Sequence, residues 1–201
     1  VDRFKFVTDS LGHRAGDEFL QAIAQRLLAV ARPEAMVARL GGDEFIMLAP
    51  ERGSGPLDKT IPEAILEAIA RPVTVGSQEL FLSACVGVAR YPEDSADPDT
   101  LIDFADLAMH RAKGLGRNSY QFFQPGMVDK AQQRLRMERD LRNALERDEF
   151  VLHYQPQLDL SSGRVVGVEA LLRWNHPEAG LLTPGSFLAL AAATGLIVPI
   201  G

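Results

Sequence analysis

Two carboxylates beside a pair of glycines are the residues of this 201-residue chain that most directly suggest chemistry. Gly41 and Gly42 separate two short apolar runs, a pattern that predicts a tight hairpin turn. Asp43 and Glu44 follow at once. Glycine lets a ligand approach the backbone, and a carboxylate can hold Mg²⁺, so the turn fits a phosphate–metal site. An ordinary hairpin with a hydrated acidic tip explains the turn equally well.

A second candidate is the pair Lys113 and Arg117, at and just beyond the end of a predicted helix. Cations complement the negative end of a helix, and spacing alone favours this simpler explanation. The alternative is a phosphate clamp, in which lysine supplies a point charge and arginine a bidentate fork. The four histidines lack metal-ligand spacing, which argues against zinc.

A third candidate is Glu169, which stands in an apolar run typical of a strand. An unpaired buried charge is costly, so its carboxylate lies at the solvent face or is held by a cation. Strand alternation puts Glu169 on the same face as Leu171 and Arg173. An ion pair with Arg173 and a bound metal are comparable explanations.

The first 124 residues alternate between helical and strand patterns and predict an α/β (α+β) sheet domain. A short helix over Asp2–Leu11 ends at Gly12, and a longer one opens near Asp17, an acidic residue favoured by the helix dipole. The apolar run Phe45–Leu48 predicts a strand buried on both faces. The polar segment Glu51–Lys59 predicts a loop.

A change of composition then indicates a second domain. Met127–Arg147 carries dense charges of both signs and predicts a long, mostly exposed connecting helix. Two strands, Phe150–Leu158 and Val165–Leu172, follow on either side of a Ser-Ser-Gly loop. We therefore expect a domain at residues 1–124, a linker helix at 125–147 and the start of another domain at 148–201, where about 50 residues are marginal for an independent core.

Composition limits the classes of function. The net charge of −6 and pI near 5.2 argue against a broad surface for a nucleic acid polymer. The one cysteine, Cys85, fits a reducing compartment and, within an apolar run, a buried structural thiol. No signal peptide or membrane-spanning run is visible, so we expect a cytoplasmic location, with any membrane anchor in unseen segments of a longer parent.

The run Gly41-Gly42-Asp43-Glu44-Phe45 resembles the signature of GGDEF domains, the diguanylate cyclases. The resemblance covers residues 1 to about 124 in the right order and spacing, and is highly specific. It extends to Phe4-Lys5, Asp9, Leu11-Gly12-His13, Gly16-Asp17 and Ala112-Lys113-Gly114-Leu115-Gly116-Arg117-Asn118. It implies a nucleotidyl-cyclase-like mixed central sheet flanked by helices, in which two paired domains condense two GTP into cyclic di-GMP.

The same resemblance implies roles at the hairpin. Asp43 would be a ligand of Mg²⁺, with Mn²⁺ as an alternative, and Val1 would bind the metal through its backbone. Glu44 would assist the attacking hydroxyl or the metals. Gly41 and Gly42 would let the phosphates approach. Since adjacent strand residues face opposite ways, Asp43 and Glu44 are expected to differ in role.

Nucleotide-binding roles also follow from the resemblance. Lys113 and Arg117 would hold the terminal phosphates, with Lys5 as a further nucleotide-binding residue. Asp17 would accept hydrogen bonds from guanine. Thr8 replaces the usual asparagine that helps to read guanine, so base recognition would be weakened or altered.

Two further departures concern the first strand and the feedback site. The family's first metal-binding aspartate would fall just before Val1, and its first strand precedes that position; Asp2 matches the second aspartate. Arg32 matches the first residue of the family's product-inhibition site, whereas Ala35 occupies the last, so we expect that site to be lost.

From Asp148 the chain resembles the start of an EAL domain, the cyclic di-GMP phosphodiesterases, a modified (β/α)₈ barrel. The carrying residues are Tyr154-Gln155-Pro156, Glu169-Ala170-Leu171-Leu172-Arg173-Trp174, Pro184–Phe187 and Thr194-Gly195-Leu196-Ile197. By motif position Glu169 would bind a metal, and Gln155 and Arg173 would contact cyclic di-GMP. Only the opening elements of the barrel are covered, and Ala192 stands where a glutamate is common.

The preferred hypothesis is a fragment of a bacterial GGDEF–EAL protein of cyclic di-GMP turnover, with a diguanylate cyclase, a phosphodiesterase or both as the parent. GTP and cyclic di-GMP would be its ligands, and cyclase activity would need a homodimer. The alternatives are a GTP-binding module without turnover that regulates an EAL phosphodiesterase, and a non-catalytic fragment.

Overall fold

The structure, a computed structural model, describes residues 1–50 and 58–201, and the predicted loop Glu51–Lys59 lies largely outside them. The chain divides into two compact units, Val1–Met127 and Val128–Gly201. The elements of the first are α1 (Phe4–Val30), β1 (Met36–Gly41), β2 (Glu44–Leu48), α2 (Thr60–Ala70), β3 (Val73–Val75), β4 (Gln78–Leu80), β5 (Cys85–Val88), α3 (Pro98–Leu115) and β6 (Ser119–Phe122). Those that follow are α4 (Gly126–Glu146), β7 (Phe150–Leu158), β8 (Val165–His176), β9 (Gly180–Leu182), a 3₁₀ turn (Pro184–Ser186), α5 (Leu188–Thr194) and α6 (Ile197–Ile200).

Helix α1 is two helical segments joined at Gly12, whose φ of 82° and ψ of 167° are not helical. The break confirms the predicted end of the first helix, because glycine alone reaches such angles without strain. The second segment buries apolar residues three to four positions apart, namely Phe19, Leu20, Ile23 and Leu27. Phe19, Ile23 and Leu27 form the base of the first core together with residues of α2, β3 and the segment before β5.

The strands of the first unit form three separate pairs. β1 and β2 make the predicted antiparallel hairpin, β3 and β4 a second one, and β5 runs parallel to β6. Residues at the chain start link the first and third pairs: the Val1 nitrogen donates to the Asp43 carbonyl at 2.9 Å, and the Asp2 amide donates to the Ser83 carbonyl at 2.7 Å. The fold is therefore mixed α/β, with its sheet in small pieces.

The prediction that Phe45–Leu48 would be buried on both faces is wrong. Phe45, Ile46 and Met47 are half-buried, and Leu48 is 66% exposed. Phe45 and Met47 pack against the α1 core, whereas β2 pairs only with β1 among the described residues. Burial of a strand face depends on what packs over it, and the apolar composition of β2 overstated that burial.

In the same unit, irregular chain separates β4 from β5. The predicted helix ending at Lys113 extends to Leu115. Cys85 is half-buried rather than buried.

The second unit is built on the hairpin β7–β8, extended by β9. β8 continues to His176, beyond the predicted end, because Trp174 pairs with Phe150 of β7 and with Leu182 of β9. Two fully buried residues of α4, Leu141 and Ala144, share a core with Trp174 and with α5. Helix α4 thus contributes to packing, which its dense charge pattern does not indicate. None of the helices in the described ranges is long and apolar enough to cross a membrane.

Candidate nucleotide site

A groove of about 700 Å³ brings together three distant parts of the first unit. The start of α1, the tip of the β1–β2 hairpin and the end of α3 line it. The lining residues are Val1, Asp2, Arg3, Phe4, Lys5, Asp43, Lys113, Gly114, Leu115, Gly116 and Arg117. The groove thus combines a hairpin carboxylate with basic side chains from both helices.

The hairpin tip is shaped by its glycines and by one arginine. Gly42 has a φ of 52°, in the left-handed region that favours glycine. The Arg39 guanidinium donates to the Gly42 carbonyl through Nε at 3.0 Å and Nη2 at 2.7 Å. Arg39 therefore fixes the turn. Arg39 was not among the predicted site residues, although it stands two residues before the Gly-Gly turn.

Asp43 and Val1, both predicted metal ligands, are adjacent in space. The Val1 nitrogen lies 2.9 Å from the Asp43 carbonyl oxygen and 3.5 Å from its carboxylate. The Asp43 side chain is 36% exposed and lines the groove, whereas Glu44 is exposed and does not line it. The two carboxylates therefore have different surroundings, and the reason is that Asp43 lies in the turn whereas Glu44 is the first residue of β2.

The oxygen ligands on this groove fit a Mg²⁺ ion that is also bound by the phosphates of a ligand. Among the described residues, no three His, Cys, Asp or Glu side chains cluster as a metal cage. Mg²⁺ commonly uses one or two carboxylates, waters and substrate phosphates rather than such a cage. The single Asp43 carboxylate on a groove with basic side chains matches that pattern.

Lys5, Lys113 and Arg117 are exposed cations on the groove. Throughout residues 1–50 and 58–201, no carboxylate lies within 4.0 Å of their charged nitrogens. The turn that carries Arg117 is held by Ser119, whose hydroxyl donates to the Gly116 carbonyl at 2.6 Å and to the Ala112 carbonyl at 3.1 Å. Within the described part of the chain, these cations are therefore not neutralised by a carboxylate and are suited to an anionic ligand.

Two predicted guanine-reading residues do not line this groove. Thr8 donates its hydroxyl to the Lys5 carbonyl at 2.9 Å, and its methyl group packs against Gly16, next to Asp17. Asp17 lines a second groove, of about 330 Å³, between α1 and the hairpin, where Leu20 and Phe45 provide apolar walls. Thr8 and Asp17 are therefore near each other but outside the basic groove.

Asp2, predicted only as a match to the family's second aspartate, supports the groove from below its surface. It is 6% exposed, and its carboxylate accepts a hydrogen bond from the Ser83 hydroxyl at 2.7 Å. The Cys85 thiol lies 3.6 Å from the same carboxylate. Burial, and then the Asp2 charge, raise the pKa of the Cys85 thiol. Asp2 thus anchors the start of the groove to the chain before β5.

In the second unit, Gln155 and Glu169 are directly opposite each other on β7 and β8. Arg173 is on the same face, four residues along β8. It donates to its neighbouring Leu172 carbonyl at 2.7 Å and makes no ion pair with Glu169. Glu169 is exposed, so the ion-pair explanation is not realised among the described residues.

The first unit is a mixed α/β domain whose groove is suited to an anionic ligand. In the second unit, the β7–β8 hairpin presents polar side chains on one face. Comparison with protein-family models identifies both parts. The model described as diguanylate cyclase, GGDEF domain, matches residues 1–119, and the EAL-domain model matches residues 138–201. The chain belongs to the GGDEF-domain family and continues into the beginning of an EAL domain.

Two relatives from Pseudomonas aeruginosa illustrate the likeness. The bifunctional diguanylate cyclase/cyclic di-GMP phosphodiesterase MucR is 47% identical over all of this chain, and the cyclic di-GMP phosphodiesterase NbdA is 41% identical over 98% of it. The chain spans 29% and 25% of their respective lengths. The solved GGDEF domain of PA1120 (TpbB or YfiN) from the same organism has 35% identity and a TM-score of 0.61, over 65% of this chain and 77% of that one.

Proposed function

We propose that the first unit binds GTP, with its phosphates in the basic groove. The supporting observation is that residues distant in sequence, Lys5, Asp43, Lys113 and Arg117, line one groove. Lysine and arginine are suited to phosphate oxygens, and here none is neutralised by a carboxylate within the described part of the chain. The guanine lies toward Thr8 and Asp17.

Mg²⁺, or Mn²⁺ in its place, would be held by the Asp43 carboxylate and the Val1 backbone. When bound, the ion supplies positive charge against the charge that develops on the phosphates. Gly41 and Gly42 leave the hairpin tip without side chains, so phosphate oxygens can approach its backbone. Arg39 keeps that turn in shape through its two hydrogen bonds to Gly42.

For the longer protein we propose diguanylate cyclase chemistry between two copies of this unit. The 3′-hydroxyl oxygen of one GTP forms a bond to the α-phosphorus of the other. The bond from that α-phosphorus to the oxygen that bridges it to the β-phosphate breaks, and pyrophosphate leaves with the electron pair of this bond. We assign to Glu44 the acceptance of the hydroxyl proton. Performed twice, the reaction yields cyclic di-GMP and two pyrophosphates.

A second candidate function is a GTP-binding module that regulates an EAL phosphodiesterase. Two observations favour it: Thr8 turns its hydroxyl to the Lys5 carbonyl, and NbdA is described as a phosphodiesterase. The EAL part would then contribute Gln155, Glu169 and Arg173 to cyclic di-GMP and metal binding. GTP would stimulate cyclic di-GMP hydrolysis in the longer protein without being consumed.

The deciding experiment measures GTP binding to the 201-residue chain by calorimetry with Mg²⁺ present. We expect the double variant Lys113→Ala/Arg117→Ala to weaken binding by more than about 100-fold, since charge-assisted hydrogen bonds contribute roughly 1.5–3 kcal/mol each. Arg14→Ala is the matched control, because Arg14 is 94% exposed and pairs with Glu18 away from the groove. Failure of the unsubstituted chain to bind GTP would contradict the proposal.

The two candidate functions of the longer protein separate in one assay. Incubation with GTP and Mg²⁺ produces cyclic di-GMP if the cyclase proposal holds. Production of none, together with faster hydrolysis of added cyclic di-GMP when GTP is present, selects the regulatory module. Hydrolysis at a rate indifferent to GTP contradicts the regulatory module.

A further inference from the structure

Arg3 is a basic residue on the groove to which neither the motif resemblance nor the comparisons give a role. It precedes α1 and lines the same groove as Lys5, Lys113 and Arg117. Its φ of 62° and ψ of 21° are left-handed, which is uncommon for a side chain with a Cβ. Its side chain makes no capping hydrogen bond to the helix that it precedes.

The surrounding contacts hold Arg3 in this unfavourable backbone conformation. On one side, Asp2 is fixed by its amide and its carboxylate, both bonded to Ser83 at 2.7 Å. On the other side, the Arg3 carbonyl accepts from the Phe6 amide at 2.9 Å and so opens the helix. Strained residues persist where neighbours over-determine them, and they concentrate at ligand-binding positions. The backbone is therefore preset before any ligand arrives.

The charges around Arg3 indicate the ligand. The lining contains four basic side chains and two carboxylates, those of Asp2 and Asp43. The Asp2 carboxylate is already engaged by Ser83. In the part of the chain that the structure describes, no carboxylate is within 4.0 Å of the Arg3 guanidinium. An exposed guanidinium on a groove with excess positive charge is suited to bidentate binding of phosphate oxygens.

We propose that Arg3 is a fourth phosphate-binding cation and a specificity residue that favours nucleoside triphosphates over monophosphates. The inference rests on the proposed function, since it adds a contact at the same groove. Arg3 and Lys5 hold the polyphosphate from the α1 side, and Lys113 and Arg117 hold it from the end of α3. Only a ligand with several phosphates can engage both sets.

Calorimetry with GTP and GMP, each with Mg²⁺, tests the inference on the 201-residue chain. Arg3→Asn removes the cation while keeping a residue that tolerates left-handed angles. We expect it to weaken GTP binding by about tenfold, in line with one charge-assisted contact, and to change GMP binding by less than about twofold. Arg3→Lys should recover part of the loss, and Arg14→Ala should bind like the unsubstituted chain.

Inorganic tripolyphosphate separates the failure of this inference from that of the proposed function. GTP binding that Arg3→Asn leaves within twofold overturns the role of Arg3 alone. Tripolyphosphate binding that depends on Arg3, without GTP binding, overturns the GTP assignment and supports the phosphate contact. Binding of neither probe to the unsubstituted chain overturns both. Unchanged melting of Arg3→Asn shows that the variant is folded.

Discussion

Gly87→Ala tests whether β5 and α3 pack as closely as the structure shows. Gly87 is in the middle of β5, and α3 crosses directly over it. A Cβ at this position would lie 1.9 Å from the Ala105 carbonyl oxygen, 2.4 Å from the Met109 nitrogen and 2.9 Å from the Met109 Cβ. Two of these three atoms are backbone and cannot rotate away. The helix and the strand must therefore separate.

The cost follows from those distances. An ordinary carbon–oxygen contact is about 3.3–3.6 Å, so β5 and α3 must move apart by more than about 1 Å. Overpacking a close-packed interface costs roughly 1–3 kcal/mol, and the backbone clash puts this variant at the upper end. For a domain of this size about 3 kcal/mol lowers the melting temperature by about 10 °C. Because α3 also positions Lys113, we expect the displacement of α3 to weaken GTP binding as well.

Thermal unfolding followed by far-UV circular dichroism is the assay for the first unit, which carries Gly87, and tryptophan fluorescence follows the second unit separately. Trp174 is the single tryptophan of the chain and lies in the core of the second unit, so its fluorescence reports on that unit. The control is Gly126→Ala, because a Cβ there meets no atom within 4 Å. We expect the control to change the free energy of unfolding by less than about 1 kcal/mol. A Gly87→Ala variant that melts within 2 °C of the parent would refute the packing argument.

Three further predictions concern local contacts. Arg26→Ala should lower the free energy of unfolding by about 2 kcal/mol in urea titrations, and Arg26→Lys by less, because the guanidinium donates to three carbonyls at the end of α2; equal losses would contradict this. Burial, and then Asp2, raise the pKa of the Cys85 thiol, so it should react with a disulfide reagent at pH 8 more slowly in the folded chain than in urea. Equal rates of reaction in the folded chain and in urea would refute the raised pKa. The contribution of this thiol to stability is complete below the pKa of the unfolded thiol and is lost as pH rises through the folded value. The Ser161 hydroxyl, first among several hydrogen bonds, lowers the pKa of Asp159 to about 2, so its contribution is present above the unfolded value of about 3.9 and is lost as pH falls through about 2. Ser161→Ala should raise this pKa in an NMR titration, and an unchanged midpoint would count against the hydrogen bond.

Local features of the fold were predictable where one or two residues determine the backbone. The turn at Gly41-Gly42 and the break at Gly12 follow from the angles open to glycine, and both occur as predicted. Burial was less predictable. The apolar run at Phe45–Leu48 is half-exposed because burial depends on which elements pack over its two faces, information that its own residues do not contain.

The candidate site was likewise predictable only in part. Its residue types were predictable from motif resemblance, whereas their grouping was not predictable from spacing. Spacing alone favoured a helix-end explanation for Lys113 and Arg117. Their place beside Asp43 depends on how α3 packs on β5 and how the hairpin packs on α1. Thr8 and Asp17 share a motif with Lys5 but do not line its groove: the Thr8 hydroxyl is bonded to the Lys5 carbonyl, and Asp17 lies beyond the break at Gly12 and lines the second groove.

The amino-acid sequence by itself determined the family, the hairpin turn and the helix break, since each depends on residue identities within a short stretch. Only the tertiary structure decided that Asp43 meets Val1, that Asp2 is buried against Ser83, and that Arg3 is held in a left-handed conformation on a basic groove. The physical reason is that these contacts join residues far apart in the chain, and packing of the whole unit sets the distances between them.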